Sequence, residues 1–133
     1  MNVQTILYVE DNEYNRKIVH QLMSRTTYRL IEAMDGESGV AMAQKELPDL
    51  ILMDVQLPKM SGLDATRALK ADPRTANIPV IVITSFALSG DREKAAAAGA
   101  INYLAKPYSP RELLAMVRDV LPESGSTNRE VEK

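Results

Sequence analysis

Asp49-Leu50-Ile51-Leu52-Met53-Asp54 sets four apolar side chains in a row and then stops on a carboxylate. A second run, Thr5-Ile6-Leu7-Tyr8-Val9, ends the same way in Glu10-Asp11. Short, continuous apolar runs suit parallel strands that are buried on both faces. If these two strands are neighbours, three carboxylates meet at their carboxyl ends. That much negative charge is unfavourable unless a cation shares it or one acid keeps its proton. With no His or Cys beside them, hard oxygen ligands favour magnesium over zinc or copper. The pattern points to a metal-assisted phosphoryl site with an aspartate as acceptor.

Outward from these runs, strands and helices alternate. Asn12 can cap a helix carrying Tyr14, Ile18, Leu22 and Met23 at helical spacing. A strand over 28–32, a turn at Asp35-Gly36 and a helix over 37–46 follow, with Pro48 as its stop. After the Asp54 strand, a loop holding Pro58 and Gly62 leads to a helix over 63–70 that ends near Asp72-Pro73. Pro79-Val80-Ile81-Val82-Ile83-Thr84 is apolar almost throughout and reads as a central, buried strand. An alanine-rich helix over 91–98 closes on Gly99, a strand covers 101–104, and Pro110 opens a last helix to about Val120. The polar residues 122–133 read as a frayed tail.

The chain has 133 residues, the size of one domain with a single core. Its hydrophobic share of 45% and charged share of 26% exclude a disordered polymer. A net charge of −2 without a basic run argues against direct binding of DNA. The lack of cysteine excludes disulfide and thiol chemistry. The first apolar run is too short and too closely followed by acids to be a signal peptide or membrane span. A cytoplasmic location is the default expectation.

Five strand–helix repeats imply a doubly wound α/β fold, a parallel sheet with helices on both faces. Ligands in such sheets sit at the carboxyl ends of the strands, near the topological switch point. Glu10, Asp11, Asp54, Thr84 and Lys106 all fall at those ends.

Taken in order, Glu10-Asp11, Asp54 followed by Pro58 and Gly62, Thr84, and Lys106-Pro107 resemble the receiver domain of two-component response regulators, the CheY-like family. The resemblance covers residues 3 to 121. It implies a flavodoxin-like (βα)5 sheet in the order 2-1-3-4-5 and a receiver domain over 1–121, with 122–133 as a tail too short for an output domain. Val9-Glu10-Asp11-Asn12-Glu13 and Ser89-Gly90-Asp91-Arg92-Glu93 look most like single-domain cell-cycle regulators of the DivK kind.

By this resemblance Asp54 is the phosphoacceptor, attacking a phosphohistidine of a partner. Asp11 would bind Mg2+ directly, with an Asp54 oxygen and the backbone carbonyl of Gln56, while Glu10 would act through water. Lys106 would pair first with the carboxylates and then with a phosphoryl oxygen, aimed inward by a cis bond to Pro107. Thr84 would bond the phosphoryl group, and Ser85, usually Ala in relatives, would leave room for it. Tyr103 matches the switch aromatic that turns inward as Thr84 moves. Strand-end acids can instead merely solvate a loop, but three together with a lysine are hard to read that way. His20, mid-helix among polar neighbours, reads as a surface residue.

The resemblance implies a phosphorelay switch that takes its phosphoryl group from a histidine kinase or histidine phosphotransferase. It would be no enzyme beyond its own phosphorylation and dephosphorylation. Output would run through protein contacts of the fourth helix, fifth strand and fifth helix, including 88–94 and Tyr103, to a downstream target; phosphorylation-dependent dimerisation is compatible with it. The first helix, near Asn15, Ile18 and Leu22, would dock the kinase. Gln56 and Phe86 stand where relatives tune dephosphorylation. The alternative is a phosphorylation-independent scaffold of the same fold. An aspartate-nucleophile phosphatase would want an acid at Gln56, and a flavodoxin-like electron carrier would want a hydroxyl-rich loop where Glu10-Asp11 stands.

Overall fold

The computed structural model describes residues 3–85 and 90–123. Phe86, Leu88 and Ser89, and the tail from 124 onward, lie outside the described residues. The elements alternate in chain order as β1 (Thr5–Val9), α1 (Glu13–Met23), β2 (Arg29–Ala33), α2 (Gly36–Glu46) and β3 (Leu50–Asp54). They continue as α3 (Gly62–Ala71), β4 (Val80–Thr84), α4 (Asp91–Ala98), β5 (Asn102–Ala105) and α5 (Pro110–Val120). The strands form one parallel sheet in the order β2-β1-β3-β4-β5, as expected for a flavodoxin-like fold. The central strand is β3, and β4 is interior, between β3 and β5.

Period-two alternation sorts the strand residues into two cores. Ile6, Tyr8, Leu50, Leu52, Ile81, Ile83 and Leu104 pack with Val19 and Met23 of α1 and Leu113 and Val117 of α5. Leu7, Val9, Ile51, Met53, Val80 and Val82 pack on the other side with Ala43 of α2, Leu69 of α3 and Ala95 of α4. Carried past the strand ends, the first alternation puts Glu10, Asp54 and Lys106 on one face. Thr84 follows Val82 on the opposite face.

Helix starts follow their caps. Asn12 accepts from the Asn15 amide, Ser61 from the Asp64 amide, and Asp35 and Ser109 form capping boxes with Ser38 and Glu112. α2 and α3 therefore begin one residue earlier than their apolar patterns suggest. Gly99 closes α4 at φ 108°, the left-handed cap that glycine accepts without cost. β2 and β5 each lie one residue later than their patterns predict. Tyr28 precedes β2 as a core residue, and its hydroxyl donates to the Leu121 carbonyl.

In α1, Tyr14 and Ile18 are exposed, at 71% and 39%, and Val19 and Met23 carry the burial. The predicted Tyr14–Ile18 stripe is thus the outward face, because α5 meets the helix one residue further round. Packing also runs past 121. The buried Glu123 carboxylate accepts from the Thr27 amide at 2.9 Å and pairs with Arg118 at 2.8 Å.

The loop after β3 returns directly onto the Asp54 backbone. The Gly62 amide donates to the Val55 carbonyl at 3.0 Å, and a Cβ on Gly62 would lie 2.0 Å from the Asp54 carbonyl oxygen. Only glycine permits that approach. Gly62→Ala is expected to lower stability by about 2–4 kcal/mol despite alanine's better helix propensity. Urea unfolding at fixed pH reads this loss directly.

Candidate functional site

Register brings the acids together before any side chain is considered. Val9 pairs with Met53 and Ile83 with Leu104, so the next positions of β1, β3 and β5 open onto one end of the sheet. Backbone bonds extend the ladder there, from the Glu10 amide to the Ala33 carbonyl, the Val55 amide to Ile83, and the Lys106 amide to Thr84 at 2.7 Å. The three acids stand beside the β1 switch point, where the chain leaves for β2 on one side and β3 on the other.

Glu10, Asp11 and Asp54 each offer a carboxylate oxygen, and these lie within 4.8 Å of one another. Glu10 and Asp54 are buried while Asp11 is exposed. Lys106 reaches both buried acids, with Nζ 3.0 Å from Glu10 Oε1 and 3.5 Å from Asp54 Oδ2. The Lys106-Pro107 bond is cis. Glu10 Oε2 accepts from the Asn12 amide at 3.2 Å, and Oε1 also accepts from the Tyr8 hydroxyl at 3.1 Å. Asp54 Oδ1 accepts from the Gln56 amide at 3.3 Å.

One lysine cannot balance three carboxylates, and the acidities divide accordingly. Burial, and then the Glu10 charge, push Asp54 up to about 7. Burial works against the Glu10 carboxylate too, but the Lys106 hydrogen bond and charge and the Asn12 amide outweigh it and hold Glu10 below its usual value. Burial disfavours the Lys106 charge, yet Asp54 and Glu10 raise its pKa. Of the two buried acids, Asp54 is the one pushed toward its protonated form. The donor set is all oxygen, in surplus negative charge and open at Asp11, so these residues fit a hard divalent cation such as Mg2+.

A second cluster adjoins the first. Gln56 Nε2 donates to Thr84 Oγ1 at 2.9 Å, and Gln56 Oε1 accepts from the Ser85 amide at 3.0 Å. Gln56 thereby spans the ends of β3 and β4. Thr84, Gln56 and Tyr103 line one cavity of about 260 Å³ with Asp91 and Lys94. Tyr103 is half-buried, and the Arg92 guanidinium sits 5.0 Å from its ring centroid, a cation–π contact. At the mouth of the site, Asn15, Ile18, Ser85, Lys106, Pro107 and Tyr108 line a groove of about 420 Å³. His20 is exposed on α1.

Residues 6–118 match the response regulator receiver domain family, and the chain belongs to it. It is 37% identical over 121 residues to the polar-differentiation response regulator DivK of Brucella anthropi, covering 91% of this chain and 98% of that protein. DivK of Brucella abortus matches at the same identity and coverage. Among solved structures, the receiver domain of a sensor histidine kinase of Pseudomonas aeruginosa superposes with a TM-score of 0.81 at 37% identity, over 89% of this chain and 97% of that one. That crystal structure has a magnesium ion coordinated in its active site cleft. The chemotaxis protein CheY4 of Vibrio cholerae superposes with a TM-score of 0.85 at 28% identity, over 90% and 100% of the two chains. No helix among the described residues is long and apolar enough to cross a membrane.

Three contacts were not foreseen from the sequence. Arg16 donates to the Glu10 carbonyl at 2.9 Å, Arg92 covers Tyr103, and Tyr8 reaches Glu10. Only Tyr8 carries a readable signal, a tyrosine in an otherwise aliphatic run two residues before an acid. Period two sets both on one face.

The Asp54 shift has a definite sign for stability. An acid whose pKa rises on folding holds a proton that the unfolded chain releases from about pH 4 upward. Its contribution to stability therefore falls as pH rises from about 4 to about 7, and the penalty is complete above that. Asp54→Asn removes the penalty. In chelator it is expected to be more stable than wild type at pH 8 by on the order of 1–3 kcal/mol, with the gain shrinking toward pH 5. Denaturant unfolding at the two pH values checks both size and direction.

Proposed function

We propose that the chain is a phosphorelay receiver that accepts a phosphoryl group on Asp54 from the phosphohistidine of a histidine kinase or histidine phosphotransferase. The observation that carries the reading is Lys106 held between two buried carboxylates, Glu10 at 3.0 Å and Asp54 at 3.5 Å, beside an exposed third acid. Asp11, an Asp54 oxygen and the Gln56 carbonyl would hold Mg2+, with Glu10 acting through water. Bound there, the cation would supply positive charge against the incoming phosphoryl oxygens.

In the transfer, an Asp54 oxygen bonds to phosphorus as the P–N bond to the partner's histidine breaks, and the imidazole leaves with the nitrogen lone pair. Lys106 is already within reach of the accepting carboxylate and shifts toward the new phosphoryl oxygens. Water later cleaves the acyl phosphate and restores Asp54. The groove by Asn15, Ile18 and Pro107 is the approach for the donor, which fits the exposure of Tyr14 and Ile18 on α1.

Phosphoryl oxygens on Asp54 compete with Gln56 Oε1 for the Ser85 amide and draw the Thr84 hydroxyl proton, while the Thr84 oxygen takes the Gln56 Nε2 donor. As Thr84 moves, the cavity it shares with Tyr103 changes shape, and the α4-β5-α5 face carries the signal to a downstream protein. A cytoplasmic setting, where histidine kinases present their phosphohistidine, belongs to the same reading.

Incubation with acetyl phosphate and Mg2+ is expected to add one phosphoryl group by intact mass. The gain should vanish in chelator and in Asp54→Asn. A folded wild type that binds Mg2+ but gains no mass from acetyl phosphate or from phosphorylated histidine kinases would instead mark a scaffold. Thr84→Ala should still take the phosphoryl group while losing the accompanying shift of the Tyr103 resonances.

A further inference from the structure

We propose that Tyr8 is a positioning residue of the cation site, its buried hydroxyl fixing the Glu10 carboxylate in the orientation that a divalent cation uses. The inference rests on the reading of Glu10, Asp11 and Asp54 as that site.

Tyr8 is fully buried in a strand whose neighbours on the same face, Ile6, Leu50, Leu52 and Ile83, are aliphatic. Phenylalanine would fill the same volume without burying a hydroxyl, which is costly unless it is bonded. Here the hydroxyl donates to Glu10 Oε1 at 3.1 Å. An ionised carboxylate can only accept, so the single Tyr8 proton goes to Glu10. The bond therefore has one direction, and it ends on the metal-facing acid.

The reason for a second donor lies in what Lys106 must do. Glu10 Oε1 takes both the Lys106 ammonium at 3.0 Å and the Tyr8 hydroxyl. Lys106 is shared with Asp54 and is the group that turns toward a phosphoryl oxygen. When it turns, a buried carboxylate with no other donor on Oε1 would be left short and free to rotate. The Tyr8 hydroxyl stays, and the Asn12 amide keeps Oε2 at 3.2 Å. Partners of this kind orient the groups around a metal, and their loss commonly weakens binding by about 10–100-fold.

Tyr28 provides a matched control. It is another buried tyrosine whose hydroxyl has one internal acceptor, the Leu121 carbonyl, at the opposite end of the sheet. Wild type, Tyr8→Phe and Tyr28→Phe are compared by thermal unfolding in chelator, Mg2+ calorimetry, and the Mg2+ dependence of labelling by acetyl phosphate. Tyr8→Phe is expected to stay folded, to bind Mg2+ about tenfold more weakly, and to regain wild-type labelling at saturating Mg2+. Tyr28→Phe should bind Mg2+ as wild type does. In the wild type itself, Mg2+ should shift the Tyr8 ring resonances and leave those of Tyr28 in place. Unchanged Mg2+ affinity in Tyr8→Phe, an equal loss in Tyr28→Phe, or unmoved Tyr8 resonances would overturn the role of Tyr8 while leaving the site intact. A wild type that binds no Mg2+ overturns the site reading itself.

Discussion

The ammonium of Lys106 stands between Glu10 and Asp54 with no other cationic side chain bonded to either carboxylate among the described residues. Two buried carboxylates repel each other strongly in a medium less polarisable than water. A single lysine compensates only part of that repulsion, and burial together with the remainder raises the Asp54 pKa. An arrangement this unfavourable persists only where the surrounding backbone leaves no room for relaxation. Here the backbone is a sheet buried on both faces.

Rigidity and reactivity are therefore two consequences of one construction. The strands that end in Glu10, Asp54 and Thr84 are buried along their whole length, so they can hold charged groups at their ends against repulsion. Gly62 lets the following loop return onto the Asp54 backbone. Gln56 then bridges to Thr84 and Ser85 across the gap between β3 and β4. Glu10 and Asp54 continue one face of the sheet, whereas Thr84 and Tyr103 belong to the other. Gln56 thus joins the Asp54 end of one face to Thr84 on the other.

Much of this was legible along the chain. Continuous apolar runs marked β1, β3 and β4, Asn12 and Pro110 marked helix starts, and Gly99 marked a helix end, because each signal is local and acts through its own backbone. The acids, Thr84 and Lys106 could be named as site candidates because all fall at strand ends. The outward turn of Tyr14 and Ile18 was not legible, since helical spacing defines a stripe but not the neighbour it meets. Tyr28 outside its strand, Glu123 packed beneath Thr27, and Arg92 over Tyr103 likewise depend on partners distant in sequence.

The sequence alone determined which residues could be strands, which helices, and which strand ends carry charge, because period, caps and apolar runs depend on near neighbours. Only the tertiary structure decided that Lys106 lies between Glu10 and Asp54, that Asp54 rather than Glu10 is pushed toward its protonated form, and that Tyr8 stands behind Glu10. Those outcomes depend on distances and burial among residues up to 96 positions apart, as Glu10 and Lys106 are. Coulomb energy and desolvation act through space rather than along the chain, so such facts exist only once the sheet has closed.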